Sequence, residues 1–131
     1  MSGETMRGRR AVAALALFAA IGVPGAACAQ GDVAKGEKRF EECATCHSLK
    51  RAENGVGPTL NGVFDRKAAA EPDFRYSPAM RRSGIVWTAK TLDDFLADPQ
   101  QVVTGNRMPY SGMTDAGDRA DLIAYLQRAT K

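Results

Sequence analysis

Apolar side chains recur every three to four residues in three stretches of this chain, and almost nowhere in the alternating order of a strand. Val33, Gly36, Phe40 and Cys43 make the inner stripe of a first helix, which Asp32 is placed to cap and which runs to about Cys43. Leu92, Phe95 and Leu96 belong to a later helix, capped by Thr88 or Thr91 and stopped by Pro99. Leu122, Ile123, Tyr125 and Leu126 form a strong apolar face in a last helix after Thr114. Ser77-Pro78 pairs an N-cap with proline at the first helical position, so a short helix opens there and ends near Ser83-Gly84. The rest reads as loop. Asn54-Gly55, Gly57-Pro58, Asn61-Gly62 and Glu71-Pro72 punctuate Ser48–Arg75, and a second loop runs from Gln100 to Gly112. No internal repeat is visible, and the expected architecture is all-α.

Ahead of these elements stands a different pattern. Arg7-Gly8-Arg9-Arg10 precedes an apolar run from Ala11 to Val23, Pro24-Gly25 breaks it, and Ala27-Cys28-Ala29 places small residues together. That order is the order of a secretory signal. The apolar run is shorter than the roughly 20 residues a spanning helix needs, so a membrane anchor is the lesser reading. Cys28 as a lipid-modified first residue is another, although Gly25 stands where such signals usually carry a large apolar side chain. The expectation is residues 1–29 as a signal peptide cleaved after Ala29, and one domain over 30–131 exported to the periplasm.

Charge adds little. The chain has 131 residues and a net charge of +3, but Arg7, Arg9 and Arg10 against Glu4 carry two of those charges in the leader. From Gln30 onward the balance is nearly even, which gives no support to a nucleic-acid or membrane-surface role. Length leaves room for one small domain only. A domain of about 100 residues buries only some 60–65% of its unfolded surface, and loops as long as Ser48–Arg75 need something to hold them. A large apolar cofactor would do so.

Cys43-Ala44-Thr45-Cys46-His47 supplies the chemistry. C-x-x-C-H is the pattern of c-type haem attachment. Two thiols three positions apart at a helix end can each form a thioether with a vinyl group on one haem edge, and the following imidazole reaches the iron from the same side. His47 is the chain's one histidine, so a Cys/His zinc finger cannot be completed. A thiol–disulfide oxidoreductase is the competing reading. Its C-x-x-C follows a strand and opens a helix, whereas this motif closes a helix with no βαβ pattern around it.

The ordered set of residues around that motif resembles the class I cytochromes c, especially bacterial periplasmic forms close to the mitochondrial type. It comprises Gly31-Asp32-Val33, Gly36, Phe40, Gly57-Pro58-Thr59-Leu60-Asn61-Gly62, Arg66-Lys67, Gly84-Ile85-Val86-Trp87, Met108 and Ala120-Asp121-Leu122-Ile123-Ala124-Tyr125-Leu126. The resemblance covers nearly all of Gly31–Lys131. It implies three to five helices with long loops wrapped around one covalently bound haem c, and a one-electron carrier rather than an enzyme.

One histidine leaves one axial face of the iron for another group. Of the methionines after the leader, Met80 falls inside the short helix as a packing residue, while Met108 and Met113 lie beyond the third helix. Met108 stands in a loop between Gly105 and Pro109, and the family motif also places the ligand there. By the same resemblance the Pro58 carbonyl accepts the second ring N–H of His47, and Arg66, Tyr76 and Trp87 donate to a haem carboxylate. Thioether ligation raises the reduction potential, and two filled axial positions favour electron transfer over oxygen chemistry.

The chain departs from the family at several places. Phe95 replaces a frequent Tyr, Met80 a frequent Asn, and Asn106 a frequent Thr near the buried carboxylate. Glu42, Gln100 and Gln101 stand where mitochondrial forms carry docking lysines, with Arg107 retained and Val102 and Tyr110 adding apolar surface. Association is therefore expected to depend only moderately on salt. The implied partners of this monomer are redox proteins: a cytochrome bc complex, a terminal oxidase, a photosynthetic reaction centre or a periplasmic dehydrogenase. A haem peroxidase or a haem-based sensor are the rivals; the first needs an open iron position and the second an output domain.

Overall fold

The computed structural model describes residues 30–131; the expected leader, Cys28 included, lies outside them. Among the described residues there are five helices and no strand: α1 (Val33–Cys43), α2 (Pro78–Arg82), α3 (Ala89–Ala97), α4 (Pro99–Val102) and α5 (Ala116–Ala129). Each begins where a short polar side chain takes up the free N–H groups of the first turn. Asp32 accepts from the N–H groups of Ala34 and Lys35. Ser77 accepts from Met80 ahead of Pro78. At α3 the cap is Thr88 rather than Thr91, which lies inside the first turn and accepts from the Thr88 N–H through its hydroxyl. Asp115, one residue beyond Thr114, caps α5.

One expectation fails. Pro99 ends α3, but it also opens α4, in what reads from sequence as the start of a loop. Asp98 is the cap, accepting from Gln101 N–H at 3.0 Å, and Pro99 sits where its missing N–H costs nothing.

Helices α1 and α5 cross closely. Gly36 sits at the crossing, where a Cβ would run into the backbone carbonyl of Asp121. Asp32 N–H donates to Asp121 Oδ1 at 2.6 Å, and the Phe40 and Tyr125 rings pack with centroids 5.5 Å apart. Phe40, Leu122 and Leu126 from this crossing join Leu92, Phe95, Leu96, Val63 and Trp87 in one buried cluster.

Hydrogen bonds rather than regular structure hold the long loop. Thr59 is buried to 1% exposure; its hydroxyl bonds the Lys50 carbonyl at 2.6 Å, its N–H donates to Asn54 Oδ1, and its carbonyl accepts from Arg66. Asn54 in turn donates to the Pro72 carbonyl. Backbone bonds Asp65–Trp87, Trp87–Arg66 and Ala68–Ile85 seam the loop to the segment before α3. Arg119 donates to Asp93 Oδ1 at 2.7 Å and to the carbonyls of Met113 and Thr114, which ties down the end of the loop that carries Met108.

Candidate functional site

The buried cluster and the loops enclose a cavity of about 490 Å³. All eight residues singled out from the sequence lie on its wall: Cys43, Cys46, His47, Pro58, Arg66, Tyr76, Trp87 and Met108. The apolar part of the wall is the hydrophobic core itself, with Phe40, Leu92, Phe95, Leu96, Leu122 and Leu126 facing it. A cavity of this size whose inner wall is the core itself is the space a large, mostly apolar cofactor would fill.

The thiols meet the cavity where α1 ends. Cys43 is the last helical residue, and the N–H groups of Cys46 and His47 both fold back onto the Cys43 carbonyl, at 3.1 and 2.9 Å. That turn brings Cys43, Cys46 and His47 to one wall. Both thiols are free. Burial, with the nearby charges of Glu42 and Cys46, pushes the Cys43 thiol up to about 11. Thiol–disulfide exchange requires the opposite, a thiol made acidic, so the oxidoreductase reading loses its chemistry as well as its fold.

His47 is held on two sides. Its Nδ1–H donates to the Pro58 carbonyl at 2.7 Å, which leaves Nε2 as the free lone pair. Burial lowers its pKa, only partly opposed by that hydrogen bond, so the ring is held in the neutral form that can bind a metal. Gly57 lies flat against the imidazole: a Cβ there would sit 2.5 Å from Cε1 and 2.7 Å from Nδ1. Read from sequence, Gly57-Pro58 is a turn; in the structure the glycine is a requirement of the ring beside it. Nothing in the local sequence could have revealed this, since the ring arrives from a different segment.

The methionines separate. Met108 lines the cavity together with Asn106, Arg107, Pro109 and Tyr110, whereas Met113 is buried in the core and its N–H is bound to the Leu96 carbonyl. Met80 also reaches the cavity wall from α2, in addition to packing on the core.

Arg66 has a second partner not anticipated from sequence. Its guanidinium donates to Glu71 Oε2 at 2.8 Å and to the carbonyls of Asn61 and Thr59, at side-chain exposures of 18% and 10% for the ion pair. Three of its five N–H groups are thus taken within the protein, and two remain for an occupant. Burial raises the Tyr76 phenol above its ordinary range, with Arg66 and the Glu71 backbone pulling the other way, so it stays a neutral donor. Trp87 packs edge-on against Phe95 at 5.1 Å and lines the cavity.

These features fit a haem: a cavity with a largely apolar inner wall, two free thiols beside it, an imidazole with Nδ1 bound and Nε2 open, a thioether, and spare N–H donors for carboxylates. Among the described residues no group of three or more His, Cys, Asp or Glu is placed to hold a metal ion by itself, so the cysteines and histidine do not make a zinc site.

Comparison with known proteins agrees. The profile of the cytochrome c family matches residues 33–130. The chain is 45% identical over 101 residues to a cytochrome c2 of Agrobacterium tumefaciens, covering 74% of this chain and 91% of that protein. It is 46% identical over 101 residues to a cytochrome c2 of Rhodomicrobium vannielii, covering 76% and 81%. A cytochrome c2 of Blastochloris viridis aligns over 121 residues at 39% identity, covering 92% and 93%.

Proposed function

The chain belongs to the cytochrome c family of electron carriers with covalently attached haem c, and we propose that this member is a periplasmic one-electron shuttle with iron held by His47 and Met108. When bound, the haem supplies the redox step, its iron alternating between the ferrous and ferric states. Cys43 and Cys46 would hold the haem through thioethers, each thiol adding across a vinyl group with no leaving group, and this linkage would keep it from dissociating between partners. Pro58 and Gly57 hold the His47 ring in one orientation, which limits rearrangement when the charge changes. Arg66, Tyr76 and Trp87 offer the N–H and O–H donors that a buried carboxylate needs.

One observation carries the assignment of Met108: it lines the cavity from the loop before α5, while Met113 is committed to the core. The test is the weak far-red band that sulfur-to-iron charge transfer gives the oxidised protein. Met108→Ala should abolish the band and lower the reduction potential, and Met80→Leu should leave the band in place. A band that survives Met108→Ala would overturn the assignment.

Export is supported by the basic and apolar order of residues 7–23 followed by Ala27-Cys28-Ala29, and intact mass should give a chain beginning at Gln30. Among the described residues no helix is long and apolar enough to cross a membrane. Docking takes place at the cavity mouth, where Glu42 stands among Lys67, Arg75 and Arg107 and Val56 is exposed. This mixed rim supports the moderate salt dependence expected with a cytochrome bc complex, terminal oxidase, reaction centre or periplasmic dehydrogenase.

A further inference from the structure

Asn106 is 7% exposed and lies two residues before Met108. Its side chain does three things at once. Nδ2 donates to the Pro99 carbonyl at 2.8 Å and to the Val103 carbonyl at 3.0 Å, while Oδ1 accepts from the Met108 N–H at 2.9 Å. Gln100 closes the unit from outside: its Nε2 donates to the Asn106 carbonyl at 3.0 Å and its Oε1 accepts from Gly105 N–H at 3.1 Å. Both protons of the Asn106 amide are therefore spent on the backbone around α4. No donor is left for a haem carboxylate, although the residue lines the cavity. A threonine at this position has one hydroxyl proton and could bond only one of the two carbonyls. Resting on the reading of Met108 as iron ligand, we propose that Asn106 is the positioning residue that locks the Met108 thioether in place and sets how readily it leaves the iron.

The physical consequence is a change in exchange with outside ligands. Imidazole can bind the ferric iron only in molecules whose thioether has left, so its apparent affinity scales with the population of that open form. Breaking the clamp raises that population. Asn106→Ala removes three hydrogen bonds, two to the Pro99 and Val103 carbonyls at α4 and one from the Met108 N–H, and should tighten imidazole binding about tenfold or more. Gln100→Ala, at an exposed position, removes only the outer brace and should give a smaller tightening in the same direction.

The experiment titrates oxidised holoprotein with imidazole, following loss of the far-red band, for the unsubstituted protein, Asn106→Ala, Asn106→Thr, Gln100→Ala and Met108→Ala. Guanidinium unfolding is measured in parallel, because a merely structural role would lower global stability without moving imidazole affinity. Asn106→Thr should fail to restore the affinity of the unsubstituted protein. Imidazole affinity unchanged in Asn106→Ala overturns the proposal. Should that variant not yield holoprotein, unchanged affinity in Gln100→Ala overturns it instead. A far-red band retained in Met108→Ala marks the separate failure of the ligand assignment, and the clamp falls with it.

Discussion

Replacing Gly57 by alanine tests the site through a single methyl group. The added carbon would lie 2.5 Å from His47 Cε1, 2.7 Å from Nδ1 and 2.9 Å from Nε2. Comfortable carbon contacts begin at about 3.5 Å, so something must move by about 1 Å. The ring is not free to do so while Nδ1–H is bound to Pro58 at 2.7 Å. Nor is the loop, since Gly57 donates to the Cys46 carbonyl and accepts from Gly55, both at 2.9 Å. Overpacking of this kind costs about 1–3 kcal/mol, and the loss of the ring's hydrogen bond about 1 kcal/mol more, which puts the destabilisation at about 2–4 kcal/mol. Guanidinium unfolding of the holoprotein measures it, and the optical spectrum and reduction potential report the displaced imidazole. Gly62→Ala is the control: its φ of +62° makes a side chain strained, but a Cβ there meets nothing within 4 Å. It should cost about 1–2 kcal/mol with the spectrum and potential unmoved. A Gly57→Ala protein within about 0.5 kcal/mol of the unsubstituted one, with the same spectrum and potential, would refute the reasoning.

Three other outcomes follow from the same packing. Leu122 is 0% exposed between the helix crossing and the cavity, so Leu122→Ala should lose about 3–5 kcal/mol in chemical denaturation, and a loss below about 1 kcal/mol would contradict its place in the core. Glu71→Ala leaves Arg66 its two carbonyl acceptors but removes its acidic partner within the chain, and should cost about 1–3 kcal/mol; Glu71→Gln, which keeps an acceptor, should cost less, and equal losses would show that the charge is irrelevant. The Tyr76 phenol has its pKa raised above 10.0, chiefly by burial. Its contribution to stability is whole below the unfolded-state value and drains away as the pH climbs from there through the folded-state value. Tyr76→Phe should therefore flatten the fall of unfolding free energy above pH 10, and parallel curves for the two proteins would rule this out.

Local signals served well where the physics is local. Asp32, Ser77 and Thr88 accept from N–H groups two or three residues ahead, and those bonds need nothing from the rest of the chain. The same chemistry was present at Asp98-Pro99, yet a proline known for ending helices masked its second role of starting one. Thr59 entered the sequence reading only as part of a family motif, and Glu71 only as a loop signal. Their importance arises because one is buried under the loop it ties and the other meets Arg66, and burial is not written in a residue's neighbours. Asn106 showed only as a departure from a family pattern, while its work of linking α4 to Met108 appears only with the hydrogen bonds in view.

From sequence alone come four of the five described helices, the caps at Asp32, Ser77 and Thr88, and the attachment chemistry, because cap bonds, helical periodicity and the three-residue spacing of Cys43 and Cys46 are all set within one or two turns of chain. Tertiary structure alone brings Met80 and Met108 to the cavity while Met113 is spent on the core, and shows why the residue at 57 has no side chain and how Arg66 divides its donors. Each of these depends on a second segment arriving from elsewhere in the chain, and distances across space are fixed only once α1, α5 and the loops have closed around a common interior.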